Sequence, residues 1–249
     1  MWHAAPVGAA SIVYADERLV ALAKPPGLSL ATRRAQPGAA AARLLASLPE
    51  GERAAYGLAA EDVYLVHRLD VGTSGLTLLA RDAEAHRELA RALGQRRVVK
   101  TYLALVWGHP APPAGVWALP VGPDRRDRRR MRVDGGGRPA VTAYEVLGRV
   151  PHVALVRLQP HTGRTHQLRV HLAHAGHPIV GDDLYGGPRH RGVRDAGLRA
   201  LLTPDHTFLH AWRLHLPATS CTPELVLTAP LPGDFTAALD ALGLAAGPA

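Results

Sequence analysis

Cysteine is almost missing from this chain, with Cys221 alone among 249 residues. A single thiol excludes an intramolecular disulfide framework and supplies no thiolate cluster for zinc. Lysine is nearly as scarce, at Lys24 and Lys100 only, so the basic charge is carried by arginine. Residues 1–11 lack the basic start and long apolar stretch of a secretory signal. No later segment has the unbroken apolar length that a membrane span requires. The expectation is therefore a cytoplasmic protein without a membrane partner, and a monomer. Internal repeats and coiled-coil heptads are absent as well.

What is present is apolar and basic. Hydrophobic residues make up 47% of the chain, enough for a substantial core. The length suits one domain, or one domain built as two lobes. A short tail over 1–10 is expected, then a single domain over 11–249. The net charge of +8 suits a polyanionic partner, because each phosphate neutralised releases counterions. A GC-rich genome explains arginine in place of lysine, but it does not explain the positive excess.

Patterning predicts strands at 11–15 and 18–24 around the polar Asp16-Glu17 turn, stopped by Pro25-Pro26-Gly27. A helix is expected over 39–48 and strands at 63–67 and 75–81. Asp82 is placed to cap a helix running to about Gly94. Further strands are expected at 97–107, 140–146, 153–159, 208–216 and 225–229. Helices are expected at 165–175 and 234–244. Residues 110–123 read as a Pro/Gly-rich connector. Strands outnumber helices without alternating with them. That order predicts an α+β fold with a central mixed, largely antiparallel sheet flanked by helices and loops.

Two segments carry candidate chemistry. In Val66-His67-Arg68-Leu69-Asp70-Val71-Gly72-Thr73-Ser74-Gly75 a carboxylate follows a strand and precedes a loop of small residues, through which a bulky substrate can approach it. The plainer alternative is an Asp that hydrogen-bonds its own turn. In His161-Thr162-Gly163-Arg164-Thr165-His166-Gln167-Leu168-Arg169-Val170-His171, Arg164 and Arg169 can face one anion near a helix start. The alternative there is a solvated basic face. The histidines, His161 to His215, show no His-Glu-x-x-His and no paired cysteine, so no metal is expected. Residues 124–132 hold six arginines against Asp124 and Asp127, which reads either as a solvated loop or as a mobile clamp on phosphates.

Taken in order, several motifs resemble the set that marks the RluA family of pseudouridine synthases. They are His67-Arg68-Leu69-Asp70 with Thr73-Ser74-Gly75, Lys100-Thr101-Tyr102-Leu103-Ala104, and 163–171. Lys24-Pro25-Pro26-Gly27, Gly181-Asp182-Asp183-Leu184-Tyr185-Gly186 and 209–214 support them, and the resemblance covers about residues 11–236. Ala23 stands where the family usually has Asn, and 217–223 lacks its usual Gly-containing turn.

The resemblance implies a basic active-site cleft, no cofactor, no separate N-terminal RNA-binding module, and isomerisation of uridine in a stem-loop of ribosomal or transfer RNA. It implies Asp70 as the essential carboxylate, acting as nucleophile or as stabiliser of positive charge. Tyr102 would stack on the flipped base and move a proton. Arg169 would pair with Asp70, and Arg68 would fill the gap left by the nucleotide. His67, Thr73 and Arg164 would line the substrate, with Leu209 an apolar wall. Arg128, Arg129 and Arg130 would hold RNA phosphates. The rivals are a non-catalytic RNA-binding protein of the same fold and a metal-dependent hydrolase using the histidines.

Overall fold

Apolar alternation sets the first elements of the chain, which the computed structural model describes over residues 8–31 and 38–247. The tail expected at 1–10 lies outside the described residues up to residue 7. The chain divides into two units, one of residues up to Val99 with Ala211–Leu231, the other of Lys100–His210 with Pro232 onward.

The first unit contains β1 (Ser11–Ala15), β2 (Leu19–Lys24), α1 (Ala39–Ala46), α2 (Glu50–Ala55), β3 (Tyr64–Leu65), β4 (Ser74–Ala80) and α3 (Ala83–Gly94). Asp16 makes the first turn by accepting the amides of Arg18 and Leu19 at 2.8 and 2.7 Å. β2 pairs antiparallel with β1 and with β4, placing Lys24 opposite Gly75. Because side chains alternate along a strand, β2 serves two cores. Leu19 and Ala21 join Ala85, Leu89 and Ala92 of α3, whereas Val20 and Leu22 join Ala40, Leu44 and Leu45 of α1. β4, covered on both sides, is buried at every position. The Asp82 carboxylate caps α3 as its position requires. It accepts the amides of Glu84 and Ala85 at 2.9 and 2.8 Å.

The second unit is built on β5 (Val99–Trp107), β6 (Ala114–Ala118), β7 (Val121–Pro123), β8 (Met131–Val133), β9 (Val141–Val150), β10 (Val153–Pro160), α4 (Gln167–His174) and α5 (Ala196–Leu201). β5, β10, β9 and β6 are neighbours in that order and pair antiparallel. The chain then forms β11 (Leu209–Leu216), which from Ala211 onward belongs to the first unit, and β12 (Leu225–Thr228). α6 (Gly233–Ala241) completes the second unit. β11 lies next to β4 and pairs antiparallel with β12. The α+β reading and its largely antiparallel pairing therefore hold.

The connector expected at 110–123 is a correction, since it holds β6 and β7. β6 is an edge strand, which tolerates flanking prolines because one side makes no ladder bonds. Its Trp117 stacks on Tyr144 at 4.0 Å, a tertiary contact that outweighs the local turn signals. The strand expected at 63–67 shrinks to Tyr64–Leu65.

Candidate active site

Leu69 is only 6% exposed, and this burial fixes the segment around Asp70. In an extended chain its neighbours then point away from the core, leaving Arg68 exposed and Asp70 half-buried, with His67 half-buried before them. The Thr73 amide donates to the Asp70 carbonyl at 3.1 Å, closing Asp70 to Thr73 as a turn. The Val71 carbonyl in that turn accepts from the Gly27 amide at 2.8 Å and from Lys24 Nζ at 3.3 Å. Lys24 also donates to the carbonyls of Pro25 and Leu28 at 2.9 and 3.1 Å. Three carbonyls thus meet an ammonium with three protons. Burial pushes this ammonium down to about 7, with the Asp70 carboxylate pulling the other way.

Thr73 and Ser74 are buried at the start of β4. Gly75 has φ +107°, and a Cβ there would lie 2.3 Å from the Ala211 carbonyl oxygen. Its smallness thus serves the close approach of backbone, and the expectation that it makes room for substrate is corrected at this position.

In the second unit the basic segment is organised by Gln167, a residue to which the sequence assigns no role. Gln167 is 4% exposed and satisfies both ends of its amide. Its oxygen accepts from Thr162 Oγ1 at 2.7 Å and the Arg164 amide at 3.1 Å. Its nitrogen donates to the Val141 carbonyl at 3.0 Å and Thr142 Oγ1 at 2.9 Å. His166, at the N-cap of α4, takes a left-handed conformation with φ 55°. That conformation is uncommon for a residue bearing a side chain. Arg164 Nε donates to the Pro139 carbonyl at 3.0 Å.

Arg169 finds a carboxylate that the motif reading did not give it. Its Nε and Nη2 bond Asp182 Oδ2 and Oδ1 at 2.7 and 2.8 Å. The pair is bidentate, the strong geometry for a guanidinium on a carboxylate. Its side chains are 11% and 1% exposed. Asp182 also accepts the amides of Leu184 and Tyr185, both at 3.1 Å, so the Gly181–Gly186 turn is wound about one carboxylate. Tyr185 then gathers three of the basic residues. The guanidinium carbons of Arg169 and Arg130 lie 5.0 and 5.2 Å from its ring centroid, within cation–π range. Its hydroxyl stands 2.9 Å from His166 Nδ1. A glycine-flanked Asp with a Tyr three residues on is the signal that marks this turn in the sequence.

The arginine run is the loop of the β7–β8 hairpin. Asp124 and Asp127 accept the amides of Arg126 and Arg129 at 2.8 and 3.0 Å, and Asp127 also binds the Arg129 guanidinium at 2.7 Å. That guanidinium and the Arg129 amide hold the Asp127 carboxyl at about 2. The loop is thus a built turn with Arg128 and Arg129 exposed and Arg130 half-buried. Tyr102, half-buried on β5, stands opposite Leu158 of β10. Leu209 is 3% exposed at the start of β11.

The histidines are dispersed. His171 is fully buried, with Nε2 donating to the Leu119 carbonyl at 2.9 Å and Nδ1 3.0 Å from Thr142 Oγ1. A carbonyl can only accept, so Nε2 carries the proton, and in the neutral ring Nδ1 then accepts from the Thr142 hydroxyl. Burial lowers the affinity of His171 for a second proton. His206 bonds Asp234 and His215 bonds Glu224. Among the described residues no three His, Cys, Asp or Glu side chains gather as metal ligands.

Of the expected site residues, His67, Arg68, Asp70 and Thr73 belong to the first unit. Tyr102, Arg128, Arg129, Arg130, Arg164, Arg169 and Leu209 belong to the second.

A family profile described as RNA pseudouridylate synthase matches residues 18–174. An uncharacterized RNA pseudouridine synthase of Chloroflexus aurantiacus is 46% identical over 171 residues, 69% of this chain and 51% of that one. The ribosomal large subunit pseudouridine synthase D of Nitrosomonas europaea is 41% identical over 72% of this chain and 51% of its own. The chain thus spans about half the length of these two curated relatives. It covers 80% of the dual-specificity RNA pseudouridine synthase RluA of Escherichia coli, at 38% identity. Among solved structures, human RNA Pseudouridylate Synthase Domain Containing 4 matches with a TM-score of 0.73 and 31% identity, over 94% of this chain and 93% of that one.

Proposed function

The chain belongs to the RNA pseudouridylate synthase family, and from that premise we propose that it converts uridine to pseudouridine in structured ribosomal or transfer RNA. In this reaction the C1′–N1 bond of uridine breaks and a C1′–C5 bond forms. The hydrogen on C5 leaves and N1 takes up a proton. Nothing is oxidised or reduced, so the chemistry calls for no cofactor. It needs a carboxylate at the anomeric carbon, a proton carrier beside the base, and cations along the backbone.

In this reading Asp70 supplies the carboxylate, as nucleophile or as counter-charge to a cationic sugar. The observation that carries it is the turn itself. A carboxylate held half-exposed at the head of a loop is preorganised for a reacting atom, and here the loop carbonyl is pinned by both Gly27 and Lys24. Tyr102 stacks on the flipped base and carries a proton. Arg169 supplies the cation beside the reacting carboxylate, and Arg68 fills the vacated stack. His67, Thr73, Arg164 and Leu209 line the nucleotide. Arg128, Arg129 and Arg130 grip phosphates.

The test uses RNA carrying tritium on C5 of uridine, since the reaction releases that hydrogen to water. Wild-type protein releases tritium and Asp70→Asn releases it several orders of magnitude more slowly, while RNA affinity changes little. Release by the Asn variant at more than a few per cent of the wild-type rate removes Asp70 from the chemistry. Binding without release by the wild type leaves an RNA-binding protein of the same fold.

A further inference from the structure

Tyr185 lies outside both motifs that carry the chemistry, yet its side chain meets both segments rich in arginine. Its hydroxyl accepts the Met131 amide at 2.8 Å, at the point where the 124–130 loop enters β8. The same oxygen is 2.9 Å from His166 Nδ1 at the start of α4. Burial raises the affinity of this phenol for its proton, so it remains a hydroxyl that accepts from Met131 and shares a hydrogen bond with His166 Nδ1. The ring packs with Val121, Met131, Val133, Ala140 and Val170, joining the β7–β8 hairpin to α4.

The charges around the ring are unequal. Arg169 is matched by Asp182. Arg130 lies against the same ring, and its Nε is shielded from solvent with no hydrogen-bond partner among the described residues. A shielded guanidinium nitrogen without an acceptor is costly, so this half-buried side chain is poorly settled where it lies, and an RNA phosphate is an acceptor of the right charge for its guanidinium to turn to.

We propose that Tyr185 is a positioning residue that ties the arginine loop to the Arg169–Asp182 pair, so that phosphate capture by Arg130 and the placing of Arg169 are one event. The proposal rests on the RNA-isomerising reading above. RNA arriving at the loop draws on Arg130, the ring follows through Met131, and the other guanidinium against that ring is Arg169. Tyr185 touches no reacting atom.

Two variants separate its hydroxyl from its ring. Tyr185→Phe keeps the ring against both arginines but frees the Met131 amide and His166. The expected result is a rise of about fivefold in KM, with the single-turnover rate at saturating enzyme within about twofold of wild type. Tyr185→Leu removes the ring as well, and the single-turnover rate then falls about tenfold. Amide hydrogen exchange supplies a readout independent of activity, since the Met131 amide loses protection in both variants. If Tyr185→Phe leaves KM and Met131 protection unchanged, there is no tether. If both variants impair KM, rate and melting temperature in parallel, Tyr185 only fills space. Were the wild type to release no tritium, the isomerase reading would fail alone, and the exchange data would still decide the tether.

Discussion

Gln167 shows how much one side chain can organise. Its amide makes four hydrogen bonds that join the 162–164 turn to Val141 and Thr142. Gln167→Leu preserves the helix and roughly the volume, but leaves those groups buried without their partner. Each orphaned polar group costs about 1–3 kcal/mol, and with partial rearrangement the variant should lose about 3 kcal/mol of stability. Urea denaturation measures it, and a loss below about 1 kcal/mol would mean that the turn repacks freely. Thr162 and Arg164 are near in sequence, but Val141 and Thr142, which complete the set, come to Gln167 only in the fold. His171 is similar, since its residue type suggests a ligand and only the positions of Leu119 and Thr142 show that both ring nitrogens are committed. Asp70 is the opposite case. Its place after a buried apolar residue and before Val71-Gly72-Thr73 can be read directly, and the turn is there.

Between elements, Lys24 is the link from the end of β2 to the turn that carries Asp70. Its folded value of about 7 lies below the 10.5 of a free lysine. Between these values the unfolded chain therefore binds more protons than the folded one. Stability from this group rises with pH from about 7 to 10.5, and the full penalty of the buried charge is present below about 7. Lys24→Met should flatten the dependence of the urea midpoint on pH across that window. Equal pH slopes in both proteins would show that the ammonium is not held in an unfavourable setting. At this scale the sequence was legible wherever an element had a period and a stop signal, as at β2 with Pro25-Pro26 or α3 with Asp82. It was illegible at β6 and β7, where prolines signal a connector and the deciding contact is Trp117 on Tyr144. In the arginine run the composition gives the charge but not the shape, which its two aspartates set by accepting the amides that form the turn.

For the whole molecule the decisive quantity is the surplus of eight positive charges. If Arg128 and Arg129 each hold one phosphate, replacing both by Ser should flatten the slope of log affinity against log salt by about 1.4, at about 0.7 per contact on single-stranded RNA. An unchanged slope would show that these side chains only solvate the hairpin. The division of the chain has a further consequence, in time. The first unit needs 211–231, whereas the intervening residues build the second. A chain made from its N-terminus therefore emerges from the ribosome with β4 complete but without the strand that comes to lie beside it. At ordinary synthesis rates the wait from residue 80, the end of β4, to residue 216, the end of β11, lasts on the order of ten seconds. For that time a strand that folding buries at every position stands with one edge open to other nascent chains. A truncation before residue 209 removes that neighbour altogether and leaves the β4 edge exposed permanently.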